Sequence, residues 1–265
     1  MSVQGPLPTL RNTVKTIQAM RDRGEKIAML TAYDAITASL VETSGTDLIL
    51  VGDSVGNTLL GYDTTVPVTL SDMIHHTRAV VRGTHKALVV MDLPFGTTTT
   101  STRALNSSAK ALQESGCQAV KLEGGTRVAK TVEKLVQAGI PVMGHIGLEP
   151  QSVNALGGYG KKGKTSDEAK ALIQSAKDLQ NAGAFSLVLE LVIPEIAAEI
   201  TETLKIPTIG IGSGNDCSGQ VLVINDLIGL SVRPIPKFAK PRADVASTIR
   251  QAVQAYVQSV RRGES

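Results

Sequence analysis

Five short apolar runs in this chain end in, or enclose, side chains that can carry charge or move a proton. Residues 48–51, LILV, run into Gly52, Asp53 and Ser54. Residues 87–91, ALVVM, run into Asp92. Lys121 and Glu123 alternate with apolar residues in AVKLE, His145 lies within PVMGHIG, and Glu190 stands alone in SLVLELV. A short continuous apolar run reads as a strand covered on both faces, as in a parallel sheet. A carboxylate at the end of such a strand cannot stay unpaired in the apolar layer, so it belongs where the next loop begins. That end of a parallel sheet or (β/α)8 barrel is where ligands bind.

The residue types set the chemistry. Carboxylates that face one another repel unless they are protonated or neutralised. Asp53, Asp92 and Glu123 suit a hard divalent cation such as Mg2+, which takes oxygen ligands and keeps several waters. Zinc fits less well, with one histidine near and both cysteines elsewhere. A structural network around Lys121 is the plainer reading of the same trio, and a turn cap is the plainer reading of Asp53. Lys121 and Glu123 are two apart and point the same way. Lys121 can bind a carboxylate, stabilise an enolate oxygen, or form a Schiff base. His145 is a polar member of the mouth or simply a satisfied histidine. Glu190, flanked by Leu and Val, should have a raised pKa, which fits a general base near neutral pH; a salt bridge to Lys121 is its bland alternative.

These side chains need a scaffold that brings distant strand ends together. Apolar strands are predicted over 27–33, 48–53, 87–92, 119–123, 141–147, 186–192, 207–212 and 221–226. Helices separate them, and Gly45, Gly116, Gly139 and Gly183 stand where four of those helices stop, as left-handed C-caps would. Thr69 with Asp72 and Thr165 with Glu168 read as capping boxes, and Thr126 as a further helix cap. Eight strands alternating with helices in 265 residues predict a single (β/α)8 domain over 1–265. An amphipathic helix over 11–23 should lead in, and a helix over 244–261, capped by Asp244, should close the chain. A doubly wound open sheet is the runner-up, but it would want a G-x-G-x-x-G after an early strand. Residues 148–164 are irregular and rich in Gly and Lys. Gly210, Gly212 and Gly214 follow the seventh strand, where many barrels cradle phosphate, although glycines also serve close packing.

Composition bounds the rest. Aromatics are 3% and Trp is absent, so the core must be built from Ala, Val, Ile and Leu. A net charge of +3 without basic runs argues against nucleic acid as a partner. No stretch reads as a membrane span, residues 1–12 lack a signal peptide's apolar core, and Cys117 and Cys217 read as ordinary thiols of a reducing compartment. The expectation is a cytoplasmic protein acting on small molecules.

The motifs LTAYD (30–34), LVGDSVGN (50–57), DTTVPVT (63–69), MDLPFG (91–96), VKLEGG (120–125), GHIGLEPQS (144–152), LVLELVIP (187–194), IGIGSG (209–214) and IPKFAK (235–240) closely resemble the ketopantoate hydroxymethyltransferase family. The resemblance implies a (β/α)8 TIM barrel of the phosphoenolpyruvate/pyruvate superfamily, usually a homodecamer. It implies transfer of a hydroxymethyl group from 5,10-methylenetetrahydrofolate to 3-methyl-2-oxobutanoate, giving 2-dehydropantoate (ketopantoate) for pantothenate and coenzyme A biosynthesis. It implies one Mg2+ per subunit on Asp53, Asp92 and Glu123. Ser54 and Lys121 would hold the 2-oxoacid carboxylate, with Asp53 and Asp92 beside it. Glu190 would be the general base, and Tyr33 and His145 would line the pocket. Ser213 stands where the family more often has Ala, and SVRP at 231–234 replaces a glycine-rich version. A metal-dependent 2-oxoacid lyase or mutase of the same superfamily is the alternative activity.

Overall fold

The structure is a computed structural model describing residues 11–156 and 160–264. Residues 1–10, residues 157–159 of the glycine-rich segment and residue 265 lie outside the described residues. Packing divides the chain into a unit through Val221 and a unit from Leu222 onward.

The first unit holds a closed barrel of eight parallel strands in sequential order. They are β1 (Ile27–Thr31), β2 (Leu48–Val51), β3 (Leu88–Asp92), β4 (Ala119–Glu123), β5 (Val142–Gly147), β6 (Ser186–Glu190), β7 (Thr208–Ile211) and β8 (Gly219–Leu222). The helices are α1 (Val14–Asp22), α2 (Ala35–Thr43), α3 (Val55–Thr58), α4 (Leu70–Arg82), α5 (Ser101–Ser115), α6 (Ala129–Gln137), α7 (Val153–Leu156), α8 (Ser166–Asn181) and α9 (Pro194–Thr203). The second unit contributes α10 (Ile224–Leu227) and α11 (Val245–Arg262). Asp244 caps α11 by accepting from the Ser247 N–H at 3.0 Å. Ile249 and Val253 of that helix are exposed.

Local chemistry explains most of the boundaries. Gly45, Gly116, Gly139 and Gly183 all adopt positive φ where a helix turns toward the next strand. Thr69 and Asp72 form the reciprocal capping box. Thr165 caps α8, but the Glu168 carboxylate turns back to the N–H groups of Gly163 and Lys164 instead of closing a box. Thr126 does not cap: it begins a 3-10 turn, and its hydroxyl donates to Asp178. The eighth strand starts at Gly219, two residues before the expected 221. The strand must reach β1, where the Ile27 N–H donates to the Ser218 carbonyl at 3.0 Å. The apolar run then continues into α10 rather than into more strand.

Strand periodicity sorts the residues. Ile27, Met29, Leu48, Leu50, Leu88, Val90, Ala119, Met143, Val188, Ile209 and Val221 pack in one buried cluster, which is the barrel interior. Ile17 of α1 is fully buried in the same cluster, with Val14 and Met20 against it. Around it, Asn12 donates to the Lys86 and Asp47 carbonyls and Arg21 to the Leu204 carbonyl. Helix α1 therefore closes the amino ends of the strands and leaves the carboxyl ends for chemistry.

Candidate active site

Successive strand residues alternate faces, so every second residue beyond the interior cluster also points inward. On β3, Leu88 and Val90 face inward, and so does Asp92. On β4, Ala119 is followed inward by Lys121 and Glu123. On β5, Met143 leads to His145, and on β6, Val188 leads to Glu190. Each strand thus changes from apolar to polar near its carboxyl end. Asp53 arrives differently. Strand β2 ends at Val51, and the turn through Gly52 swings Asp53 into the group. A Cβ on Gly52 would crowd Ser54 Oγ at 2.8 Å, so glycine leaves room for that hydroxyl.

Register makes the pairs. Asp92 is the cross-strand neighbour of Lys121, and Glu123 that of His145. Lys121 Nζ lies 2.5 Å from Asp92 Oδ1 and 3.2 Å from His145 Nδ1. His145 Nδ1 is 3.6 Å from Glu123 Oε1, and its Nε2 is 3.2 Å from Glu190 Oε2. The Asp53 N–H donates to Asp92 Oδ2 at 3.2 Å. The ion pair of Lys121 is with Asp92, not with Glu190. Asp53, Asp92, Lys121, Glu123 and His145 are all buried, whereas the Glu190 side chain keeps 17% exposure. Ser54 bonds the buried Tyr33 hydroxyl at 2.8 Å instead of capping α3.

The electrostatics follow from that crowding. Burial, aided by the Asp53 charge, pushes Asp92 up to about 7 against the pull of Lys121. Burial, then Asp53, raise Glu123 well above the usual carboxylate range. Burial lowers the Lys121 ammonium, but Asp92, Glu123 and Asp53 more than reverse this, so it stays charged. Burial and Lys121 hold His145 neutral. A charged Lys121 can only donate, so Nδ1 accepts and the proton of the neutral ring sits on Nε2, facing Glu190. Burial pushes Glu190 up to about 7 despite Lys121.

The cluster has more carboxylates than cations, and its donors are oxygens. Glu123 Oε1 is buried and makes no hydrogen bond among the described residues. Both features fit a hard divalent cation. Among the described residues, however, no three His, Cys, Asp or Glu groups stand close enough to cage an ion by themselves. Lys121 draws Asp92 aside, and Gln151 holds both Asp53 and Glu123. Mg2+ needs only one or two carboxylates when waters and substrate complete its shell, and Asp53 with Asp92 can supply those.

Gln151 is absent from the residues singled out by sequence. It lies in a 3-10 turn after β5, not at a strand end, and its Asp53 partner is distant in the chain. The only sequence signal was its place in GHIGLEPQS. Gly210 lies within β7, not after it as the sequence suggests, and both it and Gly214 serve packing: a Cβ on Gly210 would crowd Cys217 and Gln220, and one on Gly214 would crowd Pro194. Ser213 bridges the Leu189 carbonyl and the Val192 N–H, tying β7 to the turn after Glu190. In that turn Leu191 has φ 49°, a left-handed conformation costly for leucine. A hollow of about 340 Å3, lined by Arg21, Lys26, Thr201 and Asp216 among others, lies at the amino ends of the strands, away from this cluster.

Comparison with solved structures shows the fold. A phosphoenolpyruvate phosphomutase from Streptomyces platensis subsp. rosaceus superposes with a TM-score of 0.65 at 13% identity, over 96% of this chain and 89% of that one. The 2,3-dimethylmalate lyase of the PEP mutase/isocitrate lyase superfamily gives 0.62 at 15%, over 97% and 90%. Sequence comparison is far closer. The 3-methyl-2-oxobutanoate hydroxymethyltransferase of Chloroflexus aurantiacus is 56% identical over 254 residues, covering 96% of this chain and 90% of the relative. That of Carboxydothermus hydrogenoformans is 54% identical over 252 residues, covering 95% and 91%. The sequence profile described as ketopantoate hydroxymethyltransferase matches residues 11–264, and the chain belongs to that family.

Proposed function

We propose that this chain transfers a hydroxymethyl group from 5,10-methylenetetrahydrofolate to 3-methyl-2-oxobutanoate, giving 2-dehydropantoate in pantothenate and coenzyme A biosynthesis. The observation that carries the reading is the convergence of Asp53, Asp92, Lys121, Glu123, His145 and Glu190 at one barrel mouth, in a chain 54–56% identical to enzymes named for that substrate. In this reading Asp53 and Asp92, with Glu123, hold one Mg2+ per subunit. When bound, the cation polarises the 2-oxo group and acidifies the adjacent C3–H. Ser54, oriented by the Tyr33 hydroxyl, and Lys121 hold the substrate carboxylate. Glu190, high in pKa and open to the mouth, takes the C3 proton while the electron pair moves toward the 2-oxo oxygen. The Lys121 ammonium faces the negative charge that develops there. The neutral His145 stands beside the base, its Nε2 3.2 Å from Glu190 Oε2. C3 then bonds to the folate's methylene carbon as both C–N bonds to that carbon break; one water supplies the hydroxyl, and the water's other proton and the C3 proton taken by Glu190 leave on the two nitrogens of tetrahydrofolate. We place the protein in the cytoplasm as a homodecamer; among the described residues no helix is long and apolar enough to cross a membrane.

The lyase or mutase alternative rests on neighbours at 13–15% identity, which speak for the barrel alone. Incubating the purified protein with 3-methyl-2-oxobutanoate, methylenetetrahydrofolate and Mg2+ tests the choice. Ketopantoate should form only with all three present. Turnover of the 2-oxoacid that ignores the folate would favour the alternative.

A further inference from the structure

We propose that Gln151 is a positioning residue that makes docking of the Pro150–Ser152 turn a condition for presenting Asp53 and Glu123 to a cation, an inference that rests on the metal site proposed above. Three buried contacts carry it. Gln151 Nε2 donates to Asp53 Oδ2 at 2.9 Å and to the Leu93 carbonyl at 3.0 Å. The Gln151 backbone N–H donates to Glu123 Oε2 at 3.1 Å. A carboxamide nitrogen has two hydrogens, and here both are used. The Leu93 carbonyl can only accept, so the amide nitrogen, not its oxygen, must face Asp53. One oxygen of each carboxylate is thereby taken, which turns Asp53 Oδ1 and Glu123 Oε1 toward an incoming ligand. Glu123 Oε1 makes no hydrogen bond among the described residues although it is buried.

The donor is neutral, and that matters. A lysine or arginine here would cancel the charge a cation needs, whereas an amide fixes the carboxylates and leaves their charge intact. Gln151 lies in the 3-10 turn Pro150–Ser152. Beyond that turn, Lys162 is held beside Glu190: the Lys162 N–H donates to the Leu191 carbonyl at 2.8 Å, and the Ile193 N–H donates to the Lys162 carbonyl at 3.0 Å. Gln151 thus holds the metal-side carboxylates, and Lys162 holds the turn after Glu190. Lifting the Pro150–Ser152 turn withdraws all three donors together.

Calorimetric Mg2+ titration of the full chain tests this, comparing the parent with Gln151→Met, which keeps the volume and the backbone N–H but loses the two side-chain donors, and Gln151→Asn, which keeps the amide but falls short of Asp53. Asp53→Asn is the control, and melting temperatures confirm folding. Each Gln151 variant that folds should bind Mg2+ about 10–100-fold more weakly, as loss of a ligand's supporting partner does. Limited trypsin cleavage at Lys161, Lys162 and Lys164 supplies a second readout. Mg2+ with 3-methyl-2-oxobutanoate should slow it in the parent and not in the variants. Parent affinity or parent protection in either folded variant overturns the assignment of Gln151 while leaving the site reading intact. A parent that binds no Mg2+, or an Asp53→Asn protein that binds it as the parent does, overturns the site reading and this assignment with it.

Discussion

A carboxylate that takes a proton from carbon near neutral pH must be more basic than one in open water. Burial pushes Glu190 up to about 7, and this sets the sign of the pH dependence. Below that value Glu190 is protonated and cannot act, so at saturating Mg2+ kcat/KM should climb as pH rises toward 7 and level off above it. A rate that fell over the same range would exclude Glu190 as the base. Lys121 makes a different prediction. Buried between Asp92 and His145 and held charged, it is built to bind an anion and not to attack a carbonyl. Lys121→Ala should raise the KM for the 2-oxoacid strongly, and borohydride added to the parent with substrate should trap no adduct. A trapped adduct would mean Schiff-base chemistry at this lysine.

At the scale of elements, the end of β5 is the tightest joint. Gly147 has φ 102°, and a Cβ there would run into the Glu190 carbonyl oxygen. The Leu148 N–H donates to that same carbonyl at 2.8 Å, so β5 and β6 share a seam beside the base. Gly147→Ala should cost roughly 1–3 kcal/mol of stability through backbone strain. By displacing Glu190 it should also lower kcat on the order of 10²-fold. Melting curves and single-turnover rates measure the two effects, and an unchanged rate would show that the seam does not place the base. The same scale explains what was legible in sequence. Asp92, Lys121, Glu123, His145 and Glu190 lie on regular strands, where a period of two carries the inward face from apolar residues to polar ones. Asp53 was legible as a strand end, although it reaches the site through a turn. Gln151 was not, because an irregular turn has no period and its contacts lie far away in sequence. The eighth strand was displaced because an apolar run does not say where strand gives way to helix, and the 220s hold both.

At the scale of the molecule, the barrel separates stability from chemistry. Helix α1 plugs the amino end through Ile17, which is fully buried against residues from several strands. Ile17→Ala should cost about 2–5 kcal/mol and lower the melting temperature, while kcat at 25 °C stays near the parent value. A large loss of turnover without a loss of stability would contradict that separation. At the other end, in the proposed mechanism, strand ends distant in sequence act together to remove one proton from a 2-oxoacid. Proton NMR of 3-methyl-2-oxobutanoate in D2O, with protein and Mg2+ and no folate, reads that step alone. The account predicts that the parent exchanges the C3 hydrogen, and that Glu190→Gln binds Mg2+ and substrate as the parent does but exchanges about 10²–10⁴-fold more slowly. Exchange at the parent rate in Glu190→Gln would contradict it.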